Sequence, residues 1–262
     1  MRIQPTFQPV SLESIRPSRA RYLDGLLEAQ DALLEVFVSK SRCFAMRTAN
    51  GDAGHLVVLD TGMLVEWFVG DEYDEHAHHW LPAAIHELGL TSALVKSFDH
   101  AFLSVAMEQQ KSVRVRGALI RNYRRRELPR YERLRYTSRL ATLEDLPCLR
   151  EVRQEVFTDP ERLLALVRAG GVRIFECDRG TIGFGLCRRI FADRPHVEVG
   201  IAIDERFRNR GHAPYLLRDL ADRCVDDGLF PVSGCARDNE ASIRVGLRVG
   251  FRARYRLLEV SF

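Results

Sequence analysis

The passage spanning residues 197–225 constrains the fold more than any other part of the chain, because it reads as strand, basic turn and helix in that order. Val197, Val199, Ile201 and Ile203 occupy every second position, the period of a strand with one buried face. Ala213, Leu216, Leu217, Leu220, Ala221, Cys224 and Val225 then recur at helical spacing. Pro214 suits a first helical turn and Gly228 a stop. Between the two periods lies Arg208-Asn209-Arg210-Gly211-His212-Ala213. A basic, glycine-bearing turn that opens a helix presents backbone N–H groups at the positive end of the helix dipole. The passage therefore predicts an anion site suited to a phosphate or pyrophosphate.

Two common nucleotide loops are excluded. The chain has no Gly-Lys-Ser/Thr ending, and the turn lacks the three-glycine dinucleotide fingerprint. The spacing Arg-x-x-Gly-x-Ala instead resembles the acyl-CoA loop of the GNAT N-acyltransferase superfamily. Asn239-Glu240-Ala241-Ser242, followed by Gly250-Phe251, is similar to that family's Asn-x-x-Ser/Ala and Gly-Phe segment. The resemblance covers roughly residues 136–262. It implies an α/β (α+β) GNAT fold, a central mixed and mostly antiparallel sheet flanked by helices. It also implies acetyl-CoA, or another acyl-CoA, as donor co-substrate and an amine as acceptor.

By the same resemblance, the backbone amides from Arg208 through Asn209, Arg210, Gly211 and His212 to Ala213 would cradle the pyrophosphate. Ile201, Ala202 and Ile203 would offer backbone groups to the pantetheine arm, and an N–H of that edge would polarise the thioester carbonyl. Asn239 and Ser242 would position the donor. Strand alternation puts His196, Glu198, Gly200 and Ala202 on the face opposite the valines and isoleucines. Glu198 aligns with a strand glutamate that family members use as general base, directly or through water, and His196 is the second candidate. One position departs from the pattern: Gly246 stands where many relatives carry a tyrosine that reprotonates the thiolate. Ser242, Tyr215 and Tyr255 are the available hydroxyls. This departure keeps a second class of function open, a non-catalytic acyl-CoA-binding sensor or interaction protein. Arg173, Arg188 and Arg189, on expected strands, are candidates for reading an acceptor carboxylate.

Composition bounds the rest. A chain of 262 residues holds one large or two small domains. No apolar run approaches the ~18 residues of a membrane span, and the N-terminus lacks a secretory apolar segment, so a cytoplasmic protein is expected. Lys40, Lys96 and Lys111 are the only lysines, an arginine bias read as that of a GC-rich bacterium. A net charge of +3 does not by itself call for nucleic acid. The arginine-rich run within 114–135, with Tyr123, Tyr131 and Tyr136 in or beside it, is read as an inter-domain linker. Asp71 to His79 holds metal-capable side chains, but only two at a time share helical spacing, so no metal is expected. The six scattered cysteines form no CxxC pair and read mostly as buried thiols. A monomer or homodimer is expected.

The boundary is placed at 121–135, giving domains 1–130 and 136–262. In the second, the expected order is strand 136–141, a helix 143–157 capped by Thr142, a helix 161–169, a hairpin of 172–177 and 181–190, the strand-turn-helix passage, a strand 231–236, a helix after Asn239 and a strand 252–260. Residues 243–249 alternate as a strand would; the helix rests on Asn239 as cap, Gly250 as stop and the resemblance. In the first, one long helix over 19–38 capped by Ser18 is followed by strands 43–47, 55–59 and 64–69, a helix 75–88, a strand 93–97, a helix 101–109 and a strand 113–120. That order repeats the second half, and sliding Gly89-Leu90 onto Gly228-Leu229 brings Asp99 onto Asp238. The first half is thus expected to be a degenerate GNAT-like unit. Its loop would fall on Val69-Gly70-Asp71-Glu72-Tyr73-Asp74, whose acids repel a pyrophosphate.

Overall fold

The computed structural model describes residues 3–129, 135–152 and 159–262. The chain forms two compact units that interleave in sequence: Met1–Leu119 with Ala236–Asp238 and Arg254–Phe262, and Ile120–Cys235 with Asn239–Ala253. A single boundary in the chain, as drawn at 121–135, therefore does not describe the end of the molecule, because the last strand returns to the first unit.

The first unit contains β1 (Thr6–Val10), α1 (Arg16–Gly25), α2 (Ala32–Val38), β2 (Arg42–Thr48), β3 (Gly51–Val58), β4 (Met63–Val69), α3 (Ala77–Leu88), β5 (Ser92–Lys96), α4 (His100–Glu108) and β6 (Ser112–Arg121). Its strand order is β1-β2-β3-β4-β5-β12-β6, where β12 (Arg252–Ser261) is the last strand of the chain. β12 runs antiparallel to β5 from Leu257 opposite Lys96 to Ser261 opposite Ser92. Its Val260 enters the apolar core formed with Leu56, Leu64, Trp80, Leu81 and Phe102. The helix expected over 19–38 is two helices. Asp31 caps the second by accepting from the Leu33 N–H at 2.9 Å, and Ser18 lies within α1 rather than before it. The apolar period runs through the break, so periodicity alone does not reveal it. β1, at the sheet edge, was not anticipated from the sequence.

The second unit contains β7 (Thr137–Leu140), α5 (Leu146–Arg150), α6 (Pro160–Arg168), β8 (Val172–Cys177), β9 (Gly180–Arg189), β10 (His196–Ile203), α7 (Ala213–Asp226), β11 (Phe230–Ala236) and α8 (Glu240–Val249). Its sheet runs β7-β8-β9-β10-β11, antiparallel up to β10 and parallel between β10 and β11. One face, carrying Val172, Ile174, Phe184, Leu186 and Ala202, packs against Leu149 of α5 and Leu163, Leu166 and Val167 of α6. On the other face Leu220 of α7 closes on Gly185. Thr142 and Asp145 form a reciprocal capping box, but it starts a 3-10 turn, Leu143–Asp145, before α5. The remainder of the helix expected over 143–157 falls partly on residues outside those described.

The ambiguous passage 243–249 is a helix. Asn239 Oδ1 accepts from the Ser242 N–H at 3.1 Å, and Gly250 ends the helix at φ 119°. A side chain at Gly250 would place its Cβ 1.9 Å from the Arg124 carbonyl oxygen, so both conformation and space demand glycine. Leu247, which strict alternation would make a core residue, is exposed. Of the cysteines, Cys43 and Cys224 are buried, Cys148 is exposed and the other three are half-buried, so the expectation of buried thiols holds for two. Among the described residues no helix is long and apolar enough to cross a membrane.

Candidate functional site

In the second unit β10 and β11 pair only at His196–Phe230, Val197–Pro231 and Glu198–Val232. Beyond Glu198, β10 keeps its partner β9 through Ile203 but has none on the β11 side. Backbone donors and acceptors on that edge, in the stretch that includes Ile201, Ala202 and Ile203, face an opening in the sheet. Helix α7 begins just after this strand, and α7 packs on α8, which follows β11. The opening therefore has the turn 208–213 on one side and Asn239 and Ser242 at the start of α8 on the other.

The turn is built by backbone conformation. Asp204 folds the strand end into a short 3-10 turn by accepting from the Arg206 N–H at 2.9 Å. Asn209 and Gly211 then take left-handed φ values of 57° and 82°, tolerable for asparagine and easy for glycine. Such alternation of hand points successive N–H groups to one side. Among the described residues, the N–H groups of Asn209, Arg210, Gly211, His212 and Ala213 meet no acceptor. Arg208 turns back, its Nε donating to the Ile203 carbonyl at 3.1 Å with Glu205 3.5 Å away. Arg210 is exposed and meets no carboxylate among the described residues. Burial, with the Arg210 charge adding to it, lowers the His212 pKa below the ordinary imidazole value. The turn's positive charge thus comes from arginine and backbone, not from histidine.

The two expected bases differ in surroundings. Glu198 Oε2 accepts from Arg188 Nη2 at 2.6 Å across the β9–β10 ladder, with both side chains more than four-fifths buried. A guanidinium so placed holds the carboxylate by a charge-assisted hydrogen bond. Next on the same face comes Gly200, where a Cβ would meet no atom within 4 Å. His196 lies at the closed end, its ring 5.6 Å from that of Phe230. Of the arginines raised from the sequence, only Arg188 stands beside Glu198. Arg173 lies on the α7 face and donates to Ser138, and Arg189 donates to the Ala192 carbonyl.

The hydroxyls available in place of the missing tyrosine also separate. Gly246 faces Ile120, whose Cγ2 would be 3.3 Å from an added Cβ. Tyr215 donates to the Pro129 carbonyl at 2.5 Å, and Tyr255 packs edge-on against Phe98 in the first unit. Ser242 remains at the start of α8, half-buried. In the described part of the arginine-rich run, Tyr123 donates to Asp222 and Arg125 donates to Asp222 and Asp226, so these groups are engaged by α7.

The first unit repeats the local plan without the opening. β4 and β5 pair only at Met63–Ser92 and Leu64–Ala93, and side chains fill the gap beyond. Buried Gln30 donates to Glu66 of β4 at 2.9 Å and accepts from Lys96 of β5 at 3.1 Å. Arg19 grips both oxygens of Glu66 at 2.8 Å, and Tyr22 links Lys96 to Asp99. At the corresponding turn, the Glu72 carboxylate lies so close that a Cβ on Gly70 would be 2.8 Å from it. This cluster draws on α1, the α1–α2 connection, β4 and β5, and no spacing in the sequence announces it. Along Asp71 to His79, His76 stacks on Trp80, and no group of three or more metal-ligating side chains converges among the described residues.

Comparison with known proteins agrees with this duplicated plan. Residues 11–122 match the Acetyltransferase (GNAT) domain and residues 128–251 the Acetyltransferase (GNAT) family. No curated protein matches the chain in sequence. Among solved structures, an acetyltransferase from the GNAT family of Colwellia psychrerythraea matches over the full length of both chains at 15% identity and a TM-score of 0.85. A GCN5-related N-acetyltransferase from Sphaerobacter thermophilus, 14% identical, matches over 98% of this chain and 95% of its own at 0.65. A tandem GNAT protein from the clavulanic acid biosynthesis pathway, 16% identical, matches over 99% and 98% at 0.60.

Proposed function

Since the chain belongs to the GNAT acetyltransferase family, with one such domain in each half, we propose that its second unit binds acetyl-CoA or a related acyl-CoA and transfers the acyl group to a primary amine. The observation that carries this reading is the edge of β10 beyond Glu198, which has no β11 partner and runs toward a turn whose 209–213 amides meet no acceptor among the described residues. A pyrophosphate suits such a turn, and Arg210, which meets no carboxylate among the described residues, adds charge. The extended arm of the donor suits the strand edge, where a backbone N–H is placed to stabilise charge on a carbonyl oxygen. Glu198 takes the proton of the incoming ammonium, directly or through water. The departing thiolate takes its proton from solvent or from Ser242, since Gly246 supplies none.

Isothermal titration with acetyl-CoA, followed by thiol release with a panel of amines, tests the proposal. Binding that is weakened by Arg210→Ala, with thiol release dependent on an added amine, is the expected outcome. Absence of CoA binding would overturn it. A second reading is favoured by Gly246 alone: an acyl-CoA-binding sensor, which would bind CoA and release no thiol with any amine. The filled gap and the Glu72 carboxylate in the first unit support a single donor site per chain, giving one equivalent in the same titration. We place the protein in the bacterial cytoplasm, its arginine bias being that of a GC-rich bacterium.

A further inference from the structure

The geometry points to a zwitterionic acceptor for this site, a free α-amino acid or a compact molecule bearing an ammonium and a carboxylate side by side. The inference rests on the acyl-CoA reading above. Arg188 and Glu198 face each other across β9 and β10 on the sheet face away from α7, where the β10–β11 pairing ends. They carry opposite signs 2.6 Å apart. The next residue on this face is Gly200, where an added Cβ would meet no described atom within 4 Å. The Arg188 Nε–H is buried and has no hydrogen-bond partner among the described residues, although Nη2 is engaged by Glu198. Leaving a buried guanidinium donor unmade is costly, and a ligand carboxylate would satisfy it.

The pair is thus complementary to a zwitterion in charge and in scale. The ligand carboxylate takes the open donor of Arg188, which holds the molecule by the end that does not react. The ammonium lies against Glu198 and gives up one proton to it. The nitrogen lone pair then forms the N–C bond to the acyl carbon, the C–S bond breaks with its electron pair moving to sulfur, and the second N–H proton ends on the thiol. Arg188 is here a specificity-determining residue, and Glu198 is the catalytic one.

The test measures thiol release from acetyl-CoA for the twenty standard amino acids, their amides and the matching decarboxylated amines, with acetyl-CoA binding followed separately by calorimetry. The expected result is a kcat/KM for at least one amino acid roughly 10- to 100-fold above that of its amide, the worth of a charged hydrogen bond. Arg188→Gln should collapse that ratio toward one, while Arg188→Lys should keep part of it. A purely structural ion pair would change stability and leave the ratio where it was. Equal turnover of acids and amides would overturn the inference, as would thiol release with no amino acid while CoA binding persists. Loss of CoA binding in the unaltered protein would instead overturn the acyl-CoA reading on which it stands.

Discussion

Whether a strand glutamate serves as a base or as a tie depends on what faces it across the ladder. Glu198 faces Arg188 in the second unit, whereas Glu66 of β4 is wholly enclosed with Arg19, Gln30 and His55. Burial opposes ionisation of Glu66, yet His55 and the two bonds from Arg19 hold its pKa down to about 2. A carboxylate depressed in the fold adds stability above its ordinary value of 4.5, and that stability drains away between about pH 4.5 and 2. Burial also lowers the His55 pKa below 6.5, so the unfolded chain binds its proton first and acid works in the same direction. Chemical denaturation across pH 7 to 3 should show falling stability of the first unit, with the steepest loss below about 4.5; a flat profile would refute this. Glu66→Gln, which takes from the buried Arg19 guanidinium a carboxylate it grips through both oxygens, should cost about 3 kcal/mol of unfolding free energy and leave CoA affinity unchanged. At the turn, Gly211→Ala forces a Cβ into left-handed backbone and should weaken acetyl-CoA binding about tenfold by calorimetry.

Elements were legible wherever period and turn chemistry agreed. β10, the turn and α7 stand as read, and so do the 172–189 hairpin and α4, because each is specified by residues close in sequence. The passage 239–250 was harder, since apolar residues fell at alternate positions while capping chemistry indicated a helix. The caps prevailed, because Asn239 and Gly250 act on backbone groups that a strand would leave unpaired. Asn239→Ala should therefore lower stability by about 1 kcal/mol in thermal unfolding. Gly250→Ala should cost more, as it meets both a left-handed φ and the Arg124 carbonyl. The single helix expected over 19–38 shows the converse: an unbroken period hid a break that Asp31 caps and that sends Gln30 to Glu66.

At the scale of the molecule, the strand that ends the chain belongs to the unit that begins it. β12 lies beside β5 and buries Leu257 and Val260, each worth ~1.5–3 kcal/mol of apolar transfer. A chain stopped after Ala253 should lose amide protection in β4, β5 and α3 by hydrogen exchange; retained protection there would show that the first unit folds without its last strand. The duplicated plan itself was visible from the matching order of elements and the offset of Gly89-Leu90 from Gly228-Leu229, as was the acidic turn that disfavours an anion in the first half. What the sequence determined by itself is local: the strand and helix periods, the caps, and a basic, glycine-bearing turn before a helix. These depend on residues within a turn or two of one another, and their chemistry acts wherever the segment is placed. Tertiary structure decided which charge meets which, which face Gly246 presents, where β10 parts from β11, and in which sheet β12 lies. Those outcomes rest on burial and pairing between residues far apart in the chain, and no local period encodes them.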